Sequence, residues 1–268
     1  MQCIFNCTFG LFSGFMADLF ENTGYITIGY YKRENDGLGQ SVINMTERLA
    51  EISKMNAQSH VLDLGCGRGR PILDIALKIG CSVVGVDLAE GHVKMAKESK
   101  EEYEKDKDCE LKAEFYAASY FDLPKEVTNQ VFSHVMMQTS LFYAHHRINE
   151  VLQNISNVLK PGGVFVATDF VRVGDISNSR VIKFIEMNSM KGFLSLGEMK
   201  EHLLNNALEY TNGENLDHHC IKCNVMKTKK VIQDKLTGPS TEFFTNREET
   251  VRDKLASFQI IMAKKKNT

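Results

Sequence analysis

The sequence lacks an excess of charge of either sign. Its 32 Lys and Arg residues nearly balance its 34 Asp and Glu residues, which gives a formal net charge of −2. A protein that binds nucleic acid usually carries a basic face, because much of its affinity comes from contacts with phosphates. The basic cluster at 227–230 is short and local. We therefore do not expect nucleic acid as a partner.

Long apolar runs are also missing. The most apolar segment, 4–20, is too short to span a bilayer, contains Asn6 and Asp18, and has no basic residues before it. These features argue against a signal peptide or a membrane anchor, so we expect an amphipathic lid or packing helix there. We expect no membrane span elsewhere in the chain.

The cysteine pattern indicates neither a disulfide framework nor a metal site. Seven cysteines are an odd number, and they are scattered from Cys3 to Cys223, which fits free thiols in a reducing compartment. Cys220 and Cys223 have C-x-x-C spacing, but no second pair of ligands follows at the spacing of zinc sites. We expect a cytoplasmic protein with no bound metal.

What the sequence does contain is a regular alternation of short β-branched runs with longer helical patterns. This alternation predicts an α/β fold with a parallel sheet and helices on both faces. The predicted strands are 60–65, 82–87, 110–119, 131–140 and 164–170, and the predicted helices are 71–79, 89–105 and 147–159. The last of these helices ends before Lys160-Pro161-Gly162-Gly163, which is a strong helix stop.

The pattern is looser after residue 170. We predict a helix at 176–190, a second helix from Ser195 with Glu198 as its capping-box partner, and a strand near 208–210. A polar helix at 219–236, a Gly238-Pro239 break and a closing strand at 257–262 follow. We expect these segments to cover the carboxyl ends of the strands.

A glycine turn follows the first predicted strand. Gly65, Gly67 and Gly69 have G-x-G-x-G spacing, which differs from the G-x-G-x-x-G of pyrophosphate-binding turns. A turn with this shorter spacing suits a cofactor without a phosphate, such as S-adenosylmethionine, because such a cofactor needs only a close approach of the backbone. Asp87, at the end of the second predicted strand, is placed to accept hydrogen bonds from ribose hydroxyls. Taken alone, the turn also fits an ordinary tight strand-to-helix connection.

Three segments together resemble class I S-adenosylmethionine-dependent methyltransferases: 61–69, 84–87 and 158–163. The resemblance implies a Rossmann-like, doubly wound, seven-stranded and mostly parallel sheet with a helical cap, and S-adenosylmethionine as cofactor. It also implies one integrated domain in three parts. These are an N-terminal lid segment at 1–45, a cofactor-binding core at 46–170, and cap helices with closing strands at 171–268.

The resemblance assigns a cofactor site. Gly65 and Gly67 would line the methionine portion, Asp87 the ribose, and Leu88 would flank the adenine. The complete expected set of cofactor-binding residues is Asp63, Gly65, Cys66, Gly67, Asp87, Leu88, Ser119, Tyr120 and Gln138. Ser119 and Tyr120 match the loop at the adenine, and Gln138 matches a contact at the methionine end. Cys66 also reads as a small buried filler, and Tyr120 as a core aromatic.

Further segments resemble the small-molecule branch of that family, which contains sarcosine/dimethylglycine, phosphoethanolamine, sugar O-methyl and sterol C-methyl enzymes. They are 26–31, Arg70-Pro71, 168–170, 195–197 and His218-His219. Segment 137–142 lacks the Asn/Asp-Pro-Pro-Tyr signature of enzymes that methylate bases or amides. We expect a small-molecule acceptor that is methylated at nitrogen, oxygen or carbon.

The catalytic residues are less well indicated. Many relatives carry a His where this chain has Phe142, so a base would come from His219 or His218, and Tyr30 is a third candidate. His145 and His146 are expected to be exposed or to cap a helix. An aromatic wall for the acceptor would consist of Tyr30, Tyr31, Phe142, Tyr143, Phe170 and Phe193. Ordinary core packing is the alternative explanation for about half of these residues.

Two other functions stay open at this point. A cofactor-binding or partner subunit without catalysis is one, because the expected His is replaced by Phe142. An NAD(P)-dependent oxidoreductase is the other, although it would be expected to show the longer glycine spacing. The chain is expected to be a monomer or a homodimer.

Overall fold

A computed structural model describes residues 23–25, 27–234 and 238–267. The predicted helix at 4–20 lies outside these residues. Seven strands form one sheet in the order β3-β2-β1-β4-β5-β7-β6. The strands are β1 His60–Leu64, β2 Ser82–Asp87, β3 Ala113–Ala117, β4 Phe132–Gln138, β5 Leu159–Arg172, β6 Leu208–Asn215 and β7 Ala256–Lys265.

The sheet is mostly parallel, as predicted. Strands β1 to β5 pair in parallel, whereas β7 is antiparallel to both β5 and β6. The strand order reverses at β1, which lies between β2 and β4. In doubly wound sheets this reversal opens a crevice at the carboxyl ends of the strands, where ligands bind. The glycine turn after β1 lies at this crevice.

Helices cover both faces of the sheet. They are α1 Leu38–Ile52, α2 Arg70–Ile79, α3 Glu90–Lys107, α4 Lys125–Thr128, α5 Ile148–Val158, α6 Ser179–Met187, α7 Leu196–Asn205, α8 Asp217–Gln233 and α9 Pro239–Arg252. A 3₁₀ helix, Leu141–Arg147, precedes α5. None of the helices in the described part of the chain combines the length and apolar character needed to cross a membrane.

Alternation along the strands divides the core into two layers. In β1, Val61 packs into one buried cluster, whereas Leu62 and Leu64 pack into the other. The first cluster includes Leu49 of α1 and Phe244 of α9. Successive side chains of a strand point to opposite faces, so the near-continuous apolar run of β1 fills both layers. This is the pattern of a parallel sheet covered on both faces.

Several predicted boundaries match the structure. Helix α5 ends at Val158, before the Lys160-Pro161 stop, and α7 begins with a capping box in which Ser195 and Glu198 bond reciprocally. The polar helix predicted at 219–236 is α8 Asp217–Gln233. These matches follow from local chemistry, because caps and proline stops act within one helical turn.

Other boundaries differ. Strand β5 begins at Leu159 rather than at 164, because 159–163 enters the sheet through an irregular pairing in which Phe132 pairs with Leu159 and His134 with Val164. Helices α1 and α9 were not predicted. Helix α1 crosses the expected part boundary at 45, and α9 follows the predicted Gly238-Pro239 break directly, with Pro239 in its first turn.

Candidate functional site

The loop after β1 depends on left-handed backbone conformations. Gly65, Gly67 and Gly69 have φ angles of +83°, +55° and +76°. A side chain on Gly65 would place Cβ 2.7 Å from Cβ of Ser140, so this position accepts only glycine without rearrangement. By contrast, a Cβ atom on Gly67 meets no described atom within 4 Å. Gly67 therefore borders open space at the crevice, where a ligand is able to approach the backbone.

Asp87 holds this loop in place. Its Oδ2 accepts a hydrogen bond from the Gly67 amide at 2.9 Å, and its Oδ1 accepts one from the Ala89 amide at 2.9 Å. The Nδ1 atom of His92 lies 3.2 Å from the same Oδ1. A carboxylate offers about four acceptor sites, so a second lone pair of Oδ2 remains for another donor. The acid singled out in the sequence thus shapes the glycine loop directly.

A small cavity lies beside the loop. Its lining residues come from the N-terminal segment, the glycine loop, the start of α2 and the end of β4: Gly24, Thr27, Asp63, Gly65, Cys66, Gly67, Arg68, Pro71 and Gln138. Five of the nine residues expected to bind a cofactor line this cavity. Four of them lie between residues 63 and 67, and the fold brings Gln138 to them from the end of β4. The sheet achieves this because the carboxyl ends of β1 and β4 are neighbours.

Two buried polar atoms at this cavity lack a hydrogen-bond partner among the described residues. They are Oδ1 of Asp63 and Nε2 of Gln138, and the Oε1 atom of Gln138 accepts a bond from Thr46 at 3.0 Å. Burial, and then the charge of Asp87, raises the pKa of Asp63 to about 8. Leaving such groups unpaired costs about 1–3 kcal/mol each. A ligand that supplies both a donor and an acceptor would satisfy them.

The residues expected at an adenine lie farther along the same edge. The Ala118 amide donates to the Asp87 carbonyl at 3.0 Å, which brings the loop after β3 beside the end of β2. Leu88 is 46% exposed at this edge. Ser119 Oγ accepts from the Phe121 amide at 3.2 Å, and burial raises the pKa of Tyr120. Leu88 and the pair Ser119 and Tyr120 thus follow the neighbouring carboxyl ends of β2 and β3.

Cys66 is a packing residue in this structure. Its side chain is buried, and burial raises the pKa of its thiol well above the usual value. The Sγ atom donates weakly to the Gly67 carbonyl across 3.8 Å. A thiol that stays protonated is a poor nucleophile. The interpretation as a small buried filler agrees with these contacts.

The expected aromatic wall is mainly a buried ring cluster. Phe142 lies 4.2 Å from Tyr143 and 6.1 Å from Phe170 between ring centroids, and Phe170 lies 5.1 Å from Phe184. Phe193 stacks on Phe184 at 5.4 Å. Phe142, Phe170 and Phe193 are almost fully buried, so core packing accounts for most of their contacts. Tyr143 is half-buried at the edge of this cluster.

His219 contacts the N-terminal segment. Its Nδ1 atom accepts a hydrogen bond from the Tyr31 amide at 3.1 Å, and its ring stacks on that of Tyr30 at 4.2 Å. Burial, and then His218, lowers the pKa of His219. His218 itself is exposed on the first turn of α8. The three catalytic candidates thus lie together, but these contacts join α8 to the segment after Thr27 rather than to the glycine loop.

The expectation for His145 is wrong. It is not exposed, because the 3₁₀ helix directs it against β5, where its Nε2 lies 2.8 Å from Oδ2 of Asp169. Its Nδ1 accepts a hydrogen bond from the Leu194 amide at 3.2 Å. Both side chains of the His145 and Asp169 pair are fully buried. This pair fixes the connection after β4 to the end of β5, and His146 remains exposed.

Two sets of residues were not foreseen. A hydroxyl row joins the N-terminal segment to the sheet, since Thr27 lies 2.7 Å from Thr139, and Thr139 lies 3.3 Å from Thr168. In addition, Lys227 and Arg247 are buried in the cap. The threonines carry no signal in a single sequence. Arg247 follows Phe243 by one helical turn, which places it on the same helix face as an aromatic residue, but this is a weak signal.

Comparisons with known proteins identify a family that this chain matches. The family model described as a methyltransferase domain matches residues 55–238. Over 195 residues, the chain is 26% identical to 27-O-demethylrifamycin SV methyltransferase of Amycolatopsis mediterranei, covering 71% of this chain and 69% of that protein. Over 151 residues, it is 29% identical to sarcosine/dimethylglycine N-methyltransferase of Halorhodospira halochloris, covering 56% and 52%. The aligned segments thus span from about half to two thirds of these relatives.

Solved structures show the same fold. A protein assigned as a sarcosine dimethylglycine methyltransferase from Galdieria sulphuraria superimposes with a TM-score of 0.84 at 17% identity, covering 98% of this chain and 99% of that one. The cyclopropane synthase MmaA2 from Mycobacterium tuberculosis gives 0.80 at 15% identity, covering 92% and 94%. These similarities confirm the Rossmann-like, doubly wound architecture with its cap.

Proposed function

Because the chain belongs to the methyltransferase domain family, we propose that it transfers a methyl group from S-adenosylmethionine to a small-molecule acceptor. The observation that carries this proposal is the glycine loop, which Asp87 holds at the cavity with the unpaired polar atoms of Asp63 and Gln138. The two relatives described above are named as a methyltransferase for 27-O-demethylrifamycin SV and an N-methyltransferase for sarcosine and dimethylglycine, both of which are small molecules. We leave the acceptor atom among nitrogen, oxygen and carbon.

The residues at the cavity fit S-adenosylmethionine. Its amino-acid portion carries an ammonium and a carboxylate, which complement the Asp63 carboxyl and the Gln138 amide N–H. The remaining lone pair of Asp87 suits a ribose hydroxyl. Gly65 and Gly67 leave the backbone accessible, and Leu88, Ser119 and Tyr120 are proposed to border the adenine. When bound, the cofactor supplies an electrophilic methyl group.

The same residues disfavour a dinucleotide. Gly65, Gly67 and Gly69 have G-x-G-x-G spacing rather than the G-x-G-x-x-G spacing of diphosphate-binding turns. Pro71, in the first turn of α2, removes one of the backbone N–H donors on which a diphosphate would rely. An NAD(P)-dependent oxidoreductase is therefore the weaker interpretation.

The chain's own contribution to methyl transfer is mainly positioning. Displacement at a methyl group needs an aligned acceptor and exclusion of water, and alignment alone supplies a large part of the rate. The hydroxyl row of Thr27, Thr139 and Thr168 fixes the N-terminal segment beside Gln138. We propose that residues 1–45 act as the lid, that 46–170 bind the cofactor, and that the helices within 171–268 cap the acceptor.

The proposal also covers the oligomeric state, the cellular location and the partners of the protein. We propose a monomer or homodimer that works in the cytoplasm without a nucleic-acid partner. The nearly balanced charge supports the absence of a polyanionic partner. The described cysteines, including Cys66 and Cys223, are free thiols, which suits a reducing compartment. Light scattering of the purified chain measures the oligomeric state.

A transfer assay tests the proposed activity. The purified chain is incubated with methyl-labelled S-adenosylmethionine and a panel of small amines, alcohols and activated carbon acids, with protein and RNA as comparison acceptors. We expect labelled product from at least one small acceptor and none from the macromolecules. Labelling of protein or RNA alone would contradict the small-molecule function. Tight cofactor binding without any product would support the non-catalytic subunit instead.

A further inference from the structure

Two cationic side chains are buried in the cap. Lys227 of α8 is 1% exposed, and Arg247 of α9 is 7% exposed. Burial lowers the pKa of each side chain, and the charge of Arg247 lowers that of Lys227 further. Two like charges close together in a poorly hydrated region are unfavourable, unless a negative group balances them.

The contacts that the structure gives Arg247 are with neutral groups. Its Nε atom donates to Oδ1 of Asn188 at 2.6 Å, and its guanidinium lies 4.3 Å from the Phe243 ring centre and 5.4 Å from that of Phe170. Burial raises the pKa of Tyr143 and of Cys220, so these neighbours stay protonated. Cys223 is a third neighbour of Arg247, and it also contacts Lys227. None of these neighbours is a carboxylate.

The acids of the surrounding elements have other partners. Asp169, next to Phe170 on β5, pairs with His145 at 2.8 Å, and Asp217 at the start of α8 pairs with Lys254 at 3.3 Å. Glu248, next to Arg247 on α9, forms an ion pair with Arg252. Among the described residues, no ion pair joins a carboxylate to Arg247.

Both cations lie near the carboxyl ends of the strands. The Nζ atom of Lys227 donates to the Thr27 carbonyl at 3.3 Å, and Thr27 lines the cavity beside the glycine loop. Arg247 packs on Phe170, which is near the end of β5 and contacts Phe142. The cap helices α8 and α9 thus hold positive charge near the strand ends, next to Phe170 and to the Thr27 segment that lines the cavity.

We propose that the methyl acceptor carries an anionic group, a carboxylate or a phosphate, and that Arg247 binds this group with Lys227 adding positive charge. The proposal rests on the proposed methyltransferase function and specifies the acceptor class. A guanidinium offers a planar fork of donors that matches the two oxygens of a carboxylate or phosphate. Such a group neutralises the buried charge at the same time as it orients the acceptor.

If Arg247 only packs between two rings and an amide, it binds no anion. A titration with anions therefore distinguishes this structural role from the proposed one. The full-length protein, saturated with S-adenosylhomocysteine, is titrated with acetate and separately with inorganic phosphate by ligand-observed NMR. We expect one of the two anions to bind to the wild type, and the preferred anion identifies the acceptor's group. Arg247→Met should weaken this binding at least tenfold while affinity for S-adenosylhomocysteine changes less than threefold. Arg247→Lys should give an intermediate loss.

Lys229→Gln is the matched control, because it removes one positive charge, as Arg247→Met does. Lys229 is exposed and lies on the same helix as Lys227. It should bind the anion like the wild type. Failure of acetate and phosphate to bind, or equal binding by Arg247→Met, overturns the inference. Failure of S-adenosylhomocysteine to bind the wild type overturns the proposed function instead, so the two failures are distinguishable.

A second measurement uses only the wild type, in case the Arg247 variants do not fold. Amine acceptors with a carboxylate or phosphate are compared with the same amines as neutral amides or alcohols. We expect kcat/KM to be at least tenfold higher for the anionic member of a pair, mainly through KM. Equal or better turnover of the neutral members contradicts the proposal.

Discussion

The Nδ1 atom of His219 accepts a hydrogen bond from the backbone amide of Tyr31 across 3.1 Å. A backbone N–H only donates, so this nitrogen carries no proton, and the proton of the neutral imidazole is on Nε2. Burial lowers the pKa of His219, which favours the neutral ring. His219 therefore presents an N–H donor on its other side. We infer that it anchors the segment around Tyr31, and that it is a poor candidate for the base.

Substitutions of His219 distinguish an anchor from a base. In His219→Asn, the side-chain oxygen replaces Nδ1 as acceptor, so we expect kcat within about threefold of the wild type. His219→Ala removes the acceptor and should lower the free energy of unfolding by about 1–2 kcal/mol. Loss of a general base would instead reduce kcat by about 10²–10⁴ in both variants. Steady-state kinetics and urea unfolding of the two variants make the comparison.

Asp87 gives a second prediction, because it bonds the Gly67 and Ala89 amides with separate oxygens. In Asp87→Asn, one of these oxygens becomes an NH₂ group that faces an N–H donor, so one bond to a charged acceptor is lost. Such a bond contributes about 1.5–3 kcal/mol. We expect binding of S-adenosylhomocysteine to weaken at least about tenfold, measured by calorimetry. Asp106 is exposed, so the control variant Asp106→Asn should bind S-adenosylhomocysteine like the wild type. If Asp87→Asn and Asp106→Asn bind it equally well, Asp87 is not part of the binding site.

The order of the elements from β1 to β5 was predictable because each carries a local signal. The glycines of 65–69, the acid Asp87 and the stop at Lys160-Pro161 act within a few residues, and the sheet then brings their chain ends together. Helix α7 was predictable from Ser195 and Glu198 for the same reason. Most residues of the expected cofactor site lie at the ends of these locally predictable elements, so the sequence was sufficient to propose them.

The cap was less predictable because its contacts are long-range. Helix α9 buries polar residues such as Asn246 and Arg247 together with Phe244, so its sequence lacks a clean apolar stripe. The burial of His145 depends on Asp169, which lies on another element. The partner of Nδ1 of His219 is a backbone amide 188 residues away in sequence. No local pattern encodes pairings of this kind.

The buried pair of His145 and Asp169 gives a prediction for stability. Removing one partner of a buried pair leaves the other without its bond, which costs about 3–5 kcal/mol for charged groups. We expect Asp169→Ala to lower the free energy of unfolding by about 3 kcal/mol in urea. The exposed neighbour offers a control, since His146→Ala should change it by less than about 0.5 kcal/mol. Similar values for the two variants would mean that the pair contributes little.

Asp63 predicts a dependence of stability on pH. Its pKa in the folded protein is about 8, whereas an exposed Asp titrates near 3.9. Between these values the folded state holds a proton that the unfolded state releases, so the free energy of unfolding falls as the pH rises. Asp63→Asn removes this loss. In the ligand-free protein, the stability gained by Asp63→Asn should grow from pH 5 to 8 by up to about 1 kcal/mol per pH unit.

Asp106→Asn is again the control, because Asp106 is exposed on α3. Its stability should follow the wild-type curve over the same pH range. Urea midpoints at pH 5, 6, 7 and 8 provide the curves. If the wild type and Asp63→Asn show parallel curves, the carboxyl of Asp63 is hydrated rather than buried.

Calorimetric titration with S-adenosylhomocysteine, beside NAD as a comparison ligand, tests most directly whether the glycine loop holds an adenosyl cofactor. We expect one saturable site for S-adenosylhomocysteine and no binding of NAD. Gly67→Ala has room for its Cβ atom, which meets no described atom within 4 Å, but the left-handed φ of +55° should lower its free energy of unfolding by about 1–2 kcal/mol. It should still bind S-adenosylhomocysteine at least about tenfold more weakly, because the methyl group fills the ligand's space. Absence of heat with S-adenosylhomocysteine, or binding of NAD in its place, would contradict the methyltransferase function.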